Sequence, residues 1–89
     1  MAAYTYIQRA ILYPITALRA GTEGIVKVRL FVNSDGQVIQ TEIIESTIPL
    51  NAEGRDIMLQ QARLIMKGLQ FVPATGATEE ELGINYRIQ

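Results

Sequence analysis

The sequence predicts an α+β fold: a three-stranded antiparallel sheet in the order 2-1-3, with helices packed on one face. Three observations predict it. Two β-rich runs between Gly24 and Ser46 flank Asn33-Ser34-Asp35-Gly36, and Asp-Gly between such runs marks a hairpin because glycine accepts positive φ. From about Arg55 to Lys67, apolar residues recur at Met58, Ala62, Ile65 and Leu69, the spacing of one helical face. Leu82, Ile84, Tyr86 and Ile88 then alternate with smaller or polar residues, as along a strand with one buried side. That last strand follows a helix. Beside the second strand it would crowd the helix connection, so it belongs beside the first, as an exposed edge.

The elements follow in order. Tyr4, Ile7, Ile11 and Leu12 have helical spacing over two turns, and Tyr13-Pro14 interrupts them, because the residue before proline is pushed out of the α region. Proline is welcome in a first turn, so a short helix runs from Pro14 to about Ala20, with Ala17 and Leu18 inward and Gly21 ending it. Gly24 opens the first strand, where Val26, Val28, Leu30 and Val32 form one apolar face and Ile25, Lys27, Arg29 and Phe31 the other. The return strand, Val38 to Glu45 or Ser46, has adjacent apolar pairs at Val38-Ile39 and Ile43-Ile44. A bulge there would bring Val38 and Ile43 to one face.

A connection from Ser46 to Gly54 precedes the long helix of 55–68. Ile57 and Leu64 widen its apolar stripe, Asp56 serves its first turn as cap or charge, with Asn51 as an alternative cap, and Gly68 closes it. Phe71-Val72-Pro73 leads away, and Ala74 to Glu81, with the acidic run Glu79-Glu80-Glu81, reads as a solvated loop before the strand 82–88. The predicted core comprises Val26, Val28, Leu30, Met58, Ala62, Ile65 and Phe71. The domain organisation is a single unit over 1–89, with a helical segment at 4–20 and a hairpin at 24–46.

Composition narrows the chemistry. Neither cysteine nor histidine occurs, which removes disulfides, thiolate ligands, the commonest general base and the commonest metal ligand. A formal net charge of −1 with dispersed Lys and Arg gives no basic face for nucleic acid. Asp35, Glu42, Glu45, Glu53 and Asp56 form no paired-carboxylate motif, and Ser34 and Ser46 have no customary base beside them. Gly21-x-x-Gly24 follows a helix and opens a strand, the reverse of a phosphate loop. No apolar stretch approaches the ~20 residues of a membrane-spanning helix. The expectation is a binding protein that is not an enzyme, with no metal, no cofactor and no small-molecule substrate.

Tyr13-Pro14-x-x-Ala17-x-x-x-Gly21-x-x-Gly24, the alternating Val26-Val28-Leu30-Val32 with Asp35-Gly36-x-Val38, and Phe71-x-Pro73-Ala74 with Gly76 occur in an ordered series. Together with the last alternating strand, this series resembles the TonB C-terminal domain family over nearly the whole chain. Two departures are a slightly longer connection after Ser46 and a leucine at Leu69, where the family often carries tryptophan. The resemblance implies a periplasmic domain of an inner-membrane-anchored energy transducer that grips the N-terminal segment of an outer-membrane transporter. The membrane anchor and Pro-rich spacer that such proteins carry are expected ahead of an excised piece of this kind.

Strand addition at an unpaired edge would serve that role, and the expected partner-binding residues are Leu82, Gly83, Ile84, Asn85, Tyr86, Arg87 and Ile88. Three alternatives stand beside it. One is an appended ligand-binding module of a larger membrane sensor or peptidase. A second is a peptidoglycan-binding module, for which Tyr4, Tyr6, Tyr13 and Tyr86 are the available aromatics. The third is a self-associating domain, a homodimer paired through its edge strand.

Overall fold

The computed structural model describes residues 12–88, so the helix expected over Tyr4–Leu12 lies, but for Leu12, outside the described residues. The elements run α1 (Ile15–Ala20), β1 (Gly24–Val32), β2 (Val38–Ser46), α2 (Arg55–Lys67) and β3 (Thr78–Tyr86). The strands form one antiparallel sheet in the order β2-β1-β3, as the sequence predicts.

Register explains how β2 keeps its apolar residues on the core side. Opposite Lys27 and Val28 the partner passes from Glu45 to Ile43, and opposite Phe31 and Val32 from Gln40 to Val38. Ile44 and Ile39 are thus supernumerary, one in each of two bulges. Each bulge resets the period-two phase. Val38, Thr41, Ile43 and Ser46 consequently share a face with Val32, Leu30, Val28 and Val26, while Gln40, Glu42 and Glu45 share the other with Phe31, Arg29 and Lys27. The β1–β3 ladder has no such break: it runs pair by pair from Gly24↔Tyr86 to Val32↔Thr78.

This register moves the last strand from where its own alternation puts it. β3 begins at Thr78 rather than Leu82 and ends at Tyr86, so Glu79, Glu80 and Glu81 lie in the strand and not in a loop. Length is imposed by β1, whose nine residues offer nine pairing positions. Charge permits it, because Arg29 on β1 lies across from Glu81 and bonds its carboxylate at 3.3 Å.

α2 lies across β1 and β2. Met58, Ala62, Ile65 and Met66 point down into a core with Val26, Val28, Leu30, Ile84 and Tyr86. Ile57 and Leu64, expected in the buried stripe, are 52% and 66% exposed. Each is one residue from a buried position and hence about 100° round the helix, beyond the arc that a three-stranded sheet covers. Leu69 is in the core, whereas Phe71, expected to be buried, is only partly so and packs against its margin. Asp56 lies in the first turn of α2 as a favourable charge, with Gly54 and neither Asp56 nor Asn51 at the N-cap.

Close approach at two glycines fastens the connections. A Cβ on Gly54, whose φ is 83°, would stand 2.7 Å from the Ala17 Cβ, so glycine lets α1 sit against the start of α2. α1 touches the rest through that one side, which buries Ala17 and leaves Leu18, expected inward, 47% exposed. At the hairpin turn Gly36 has φ 85°, and a Cβ there would fall 2.0 Å from the Phe71 carbonyl oxygen. The segment after α2 wraps this turn, with the Phe71 N–H donating to the Gly36 carbonyl at 2.8 Å and the Ala74 N–H to that of Ser34 at 2.9 Å.

Candidate functional site: the outer edge of the third strand

Of the polar side chains singled out as chemical candidates, Glu42, Glu45 and Ser46 hold structural positions. Arg29 stands between Glu42 at 3.6 Å and Glu81 at 3.3 Å, and Lys27 pairs with Glu45 at 3.6 Å, all on the sheet face away from α2. The Ser46 hydroxyl accepts the Ile48 N–H at 3.2 Å, and the Glu53 carbonyl accepts the Thr22 hydroxyl at 2.8 Å. Among the described residues no three His, Cys, Asp or Glu side chains converge as a metal site would require.

Tyr13 and Tyr86, two of the aromatics that a sugar platform would need, are taken up in packing, Tyr86 within the core and Tyr13, partly buried, against it. Their rings meet edge to face at a centroid distance of 5.7 Å. The Tyr86 side chain is fully buried, and Tyr13 donates its hydroxyl proton to the Thr22 carbonyl. Burial raises the pKa of both phenols, with Glu23 adding to the effect at Tyr13 and Tyr13 at Tyr86, so both stay neutral. Tyr4 and Tyr6 lie outside the described residues.

What is open is main chain. The direction in which each peptide group points follows from one anchor: the Ile25 carbonyl accepts the Thr47 N–H at 2.9 Å, and the Ile25 N–H donates to the Thr47 hydroxyl at 2.8 Å. Ile25 therefore turns its polar backbone toward β2. Alternation turns Gly24, Val26, Val28, Leu30 and Val32 toward β3, and their partners Tyr86, Ile84, Leu82, Glu80 and Thr78 turn back to meet them. The N–H and C=O groups of Glu79, Glu81, Gly83 and Asn85 then face outward. The Ile88 N–H has the inward phase that this alternation requires, since it donates to the Glu23 carboxylate at 2.6 Å.

The sheet's two edges are unequal. β2 is interrupted by its bulges, and beside its first residue Gln37 bridges to Gln70 in the segment that wraps the turn. β3 is straight in register for nine residues with nothing paired to its outer side among the described residues. Of the residues expected to bind a partner, Leu82, Gly83, Ile84, Asn85 and Tyr86 lie on β3, with Ile84 and Tyr86 buried and Gly83 and Asn85 exposed. Arg87 and Ile88 lie beyond its end, and the Ile88 N–H is already used. Thr78 to Glu81, the other half of the edge, was missed; the nine-residue length of β1 was the signal for it.

Three comparisons with known proteins bear on this arrangement. The family described as "Gram-negative bacterial TonB protein C-terminal" matches residues 9–88. An NMR solution structure of the Helicobacter pylori TonB C-terminal domain is similar with a TM-score of 0.79 and 25% identity, covering 98% of this chain and 78% of that one. A second NMR solution structure of the same H. pylori domain gives a TM-score of 0.71 at 26% identity, covering 92% of this chain and 85% of that one. No curated protein matches.

Proposed function

Because the chain belongs to the TonB C-terminal family, we propose that it is the periplasmic protein-binding domain of an inner-membrane-anchored energy transducer. Its part is to grip the N-terminal segment of outer-membrane transporters by strand addition along β3. The observation that carries this reading is the outward phase of Glu79, Glu81, Gly83 and Asn85 on a strand without bulges. An extended peptide laid there finds donors and acceptors at every second residue, and backbone pairing tolerates variation in the partner's sequence. Such tolerance suits one adaptor serving several transporters. The domain carries out no catalysis in this account. It holds and transmits.

A second use of the same edge is pairing with another copy of the chain, since any unpaired strand can template its own kind. Titration with a peptide taken from a transporter N-terminus, followed by amide NMR shifts, tests the primary reading. Shifts should run along Thr78–Tyr86. Shifts confined to the hairpin of residues 25–45, with β3 undisturbed, would place the site elsewhere.

A further inference from the structure

Gly83 occupies the middle of the free strand, where glycine costs stability through chain entropy and lost packing. The fold does not require it. A Cβ built at Gly83 has the Ile25 Cγ2 and the Val26 carbonyl oxygen as its nearest neighbours, both at an ordinary 3.8 Å, and its φ is not among the positive values. The missing side chain leaves a notch on the sheet face away from α2. Ile25, 46% exposed, lies beside it, with its Cγ2 3.8 Å from where that Cβ would stand. Lys27, the residue paired with Gly83, leans the other way toward Glu45 on β2 and so leaves the notch uncovered.

Four residues along, on the same face, stands Glu79 opposite the half-buried Phe31. The face carries Lys27 and Arg29 from β1 against Glu42, Glu45, Glu79 and Glu81. Lys27 takes Glu45, and Arg29 takes Glu42 and Glu81. Glu79 has no cation within 4.0 Å among the described residues. Its carboxylate is left for a group beyond the edge.

We propose that the edge selects its occupant by side chain as well as by backbone, taking an extended peptide with an apolar residue over the Gly83 notch and a Lys or Arg beside Glu79. This rests on the strand-addition reading and specifies its partner. Residues of an added strand that flank Gly83 and Glu79 are four apart and on one face, whichever way the strand runs. The partner thus carries apolar-x-x-x-basic or the reverse. The apolar side chain covers Ile25 and the cation completes the charge row. Cross-strand pairs of these kinds shift affinity by up to about fivefold each.

The experiment uses short peptides on one β-forming host sequence. They carry leucine and lysine four apart in either order, or three apart, or with serine replacing leucine or glutamate replacing lysine. Affinity is measured by fluorescence anisotropy, with β3 amide shifts recorded for each. One order of the four-apart peptide should bind above the three-apart, serine and glutamate peptides, by up to about fivefold for each pair lost, and the preferred order reports the direction of the added strand. Glu79→Lys should reverse the preference between lysine and glutamate. Gly83→Val, whose Cβ meets only ordinary 3.8 Å contacts, should abolish the preference for leucine over serine without lowering the melting temperature. Equal binding of all peptides with β3 amides shifting would overturn the side-chain selection and leave strand addition standing. No β3 shift with any peptide would overturn both.

Discussion

The Tyr86 hydroxyl stands 2.5 Å from the side-chain oxygen of Gln61 and 3.1 Å from the main-chain carbonyl of Met58. The last residue of the free strand is thereby tied to the helix on the far side of the core. Because one phenolic proton serves two acceptors of α2, any load applied along β3 has a polar route into the helix besides the ladder to β1.

Removing that hydroxyl should loosen the tie without opening a cavity of ring size. We expect Tyr86→Phe to lower stability by about 1–2 kcal/mol, since a buried acceptor loses its donor. Urea unfolding with an unchanged slope would measure it. A loss under about 0.5 kcal/mol would mean that water or the Gln61 amide supplies the missing bond.

The same phenol gives an alkaline signature. Its pKa is raised above the ordinary 10.0 by burial first and by Tyr13 second. The folded state therefore holds a proton that the unfolded chain has released. The stability it contributes is complete below pH 10.0 and is lost progressively as pH rises above that value. Thermal melts from pH 9 upward should show a decline beginning at about pH 10, shallower in Tyr86→Phe. Equal declines in the two proteins would transfer the effect to other groups.

Backbone phase predicts a contrast between neighbours on β3. Asn85 turns its N–H outward, so Asn85→Pro should leave the fold intact while weakening peptide binding by about tenfold, through a lost bond and a blocked edge. Ile84 turns its N–H toward Val26, and Ile84→Pro should unfold the protein. Circular dichroism of the two variants separates them. If Asn85→Pro alone unfolded, the assigned phase would be reversed; if both unfolded, or neither, it would not govern the outcome.

At the hairpin turn, Gly36→Ala meets both a left-handed φ and the Phe71 carbonyl. A destabilisation of about 2 kcal/mol or more is expected, because relieving either problem displaces the segment that wraps the turn. Denaturant titration reads it. A change under 1 kcal/mol would show that this segment is held elsewhere.

Arg29 sits in a partly exposed ladder with Glu42 and Glu81, where solvent screens each pair. Arg29→Gln should cost about 1 kcal/mol at low ionic strength and visibly less in molar salt. Salt-independent loss would assign the effect to the packing of the arginine stem over the sheet.

Most of this architecture was legible because apolar period and turn chemistry agree. Val26, Val28, Leu30 and Val32 announce a core face, Asp35-Gly36 a turn, and the doubled apolar residues of the return strand one bulge, that between Val38 and Ile43, while the second, at Ile44, shows only in the register. The misreadings share a cause: each needed a neighbour distant in sequence. Glu79, Glu80 and Glu81 look like loop until Arg29 and the full length of β1 lie beside them. Ile57, Leu64 and Leu18 look buried until the narrow face by which each helix meets the rest of the fold is known. At the candidate site, alternation located the edge, but the outward phase of its peptide groups depends on Ile25 meeting Thr47, a contact that no local pattern encodes.

The two bulges of β2 set a limit on how far pairing between sheets can spread. Two copies joined through β3 would form one six-stranded sheet whose outer margins are both β2, each kinked at Ile39 and Ile44 and hidden at its turn end by Gln70. Neither margin offers the next copy a regular ladder, so growth stops at the pair. With one regular open edge and one bulged edge, the sheet carries a single side suited to regular strand pairing.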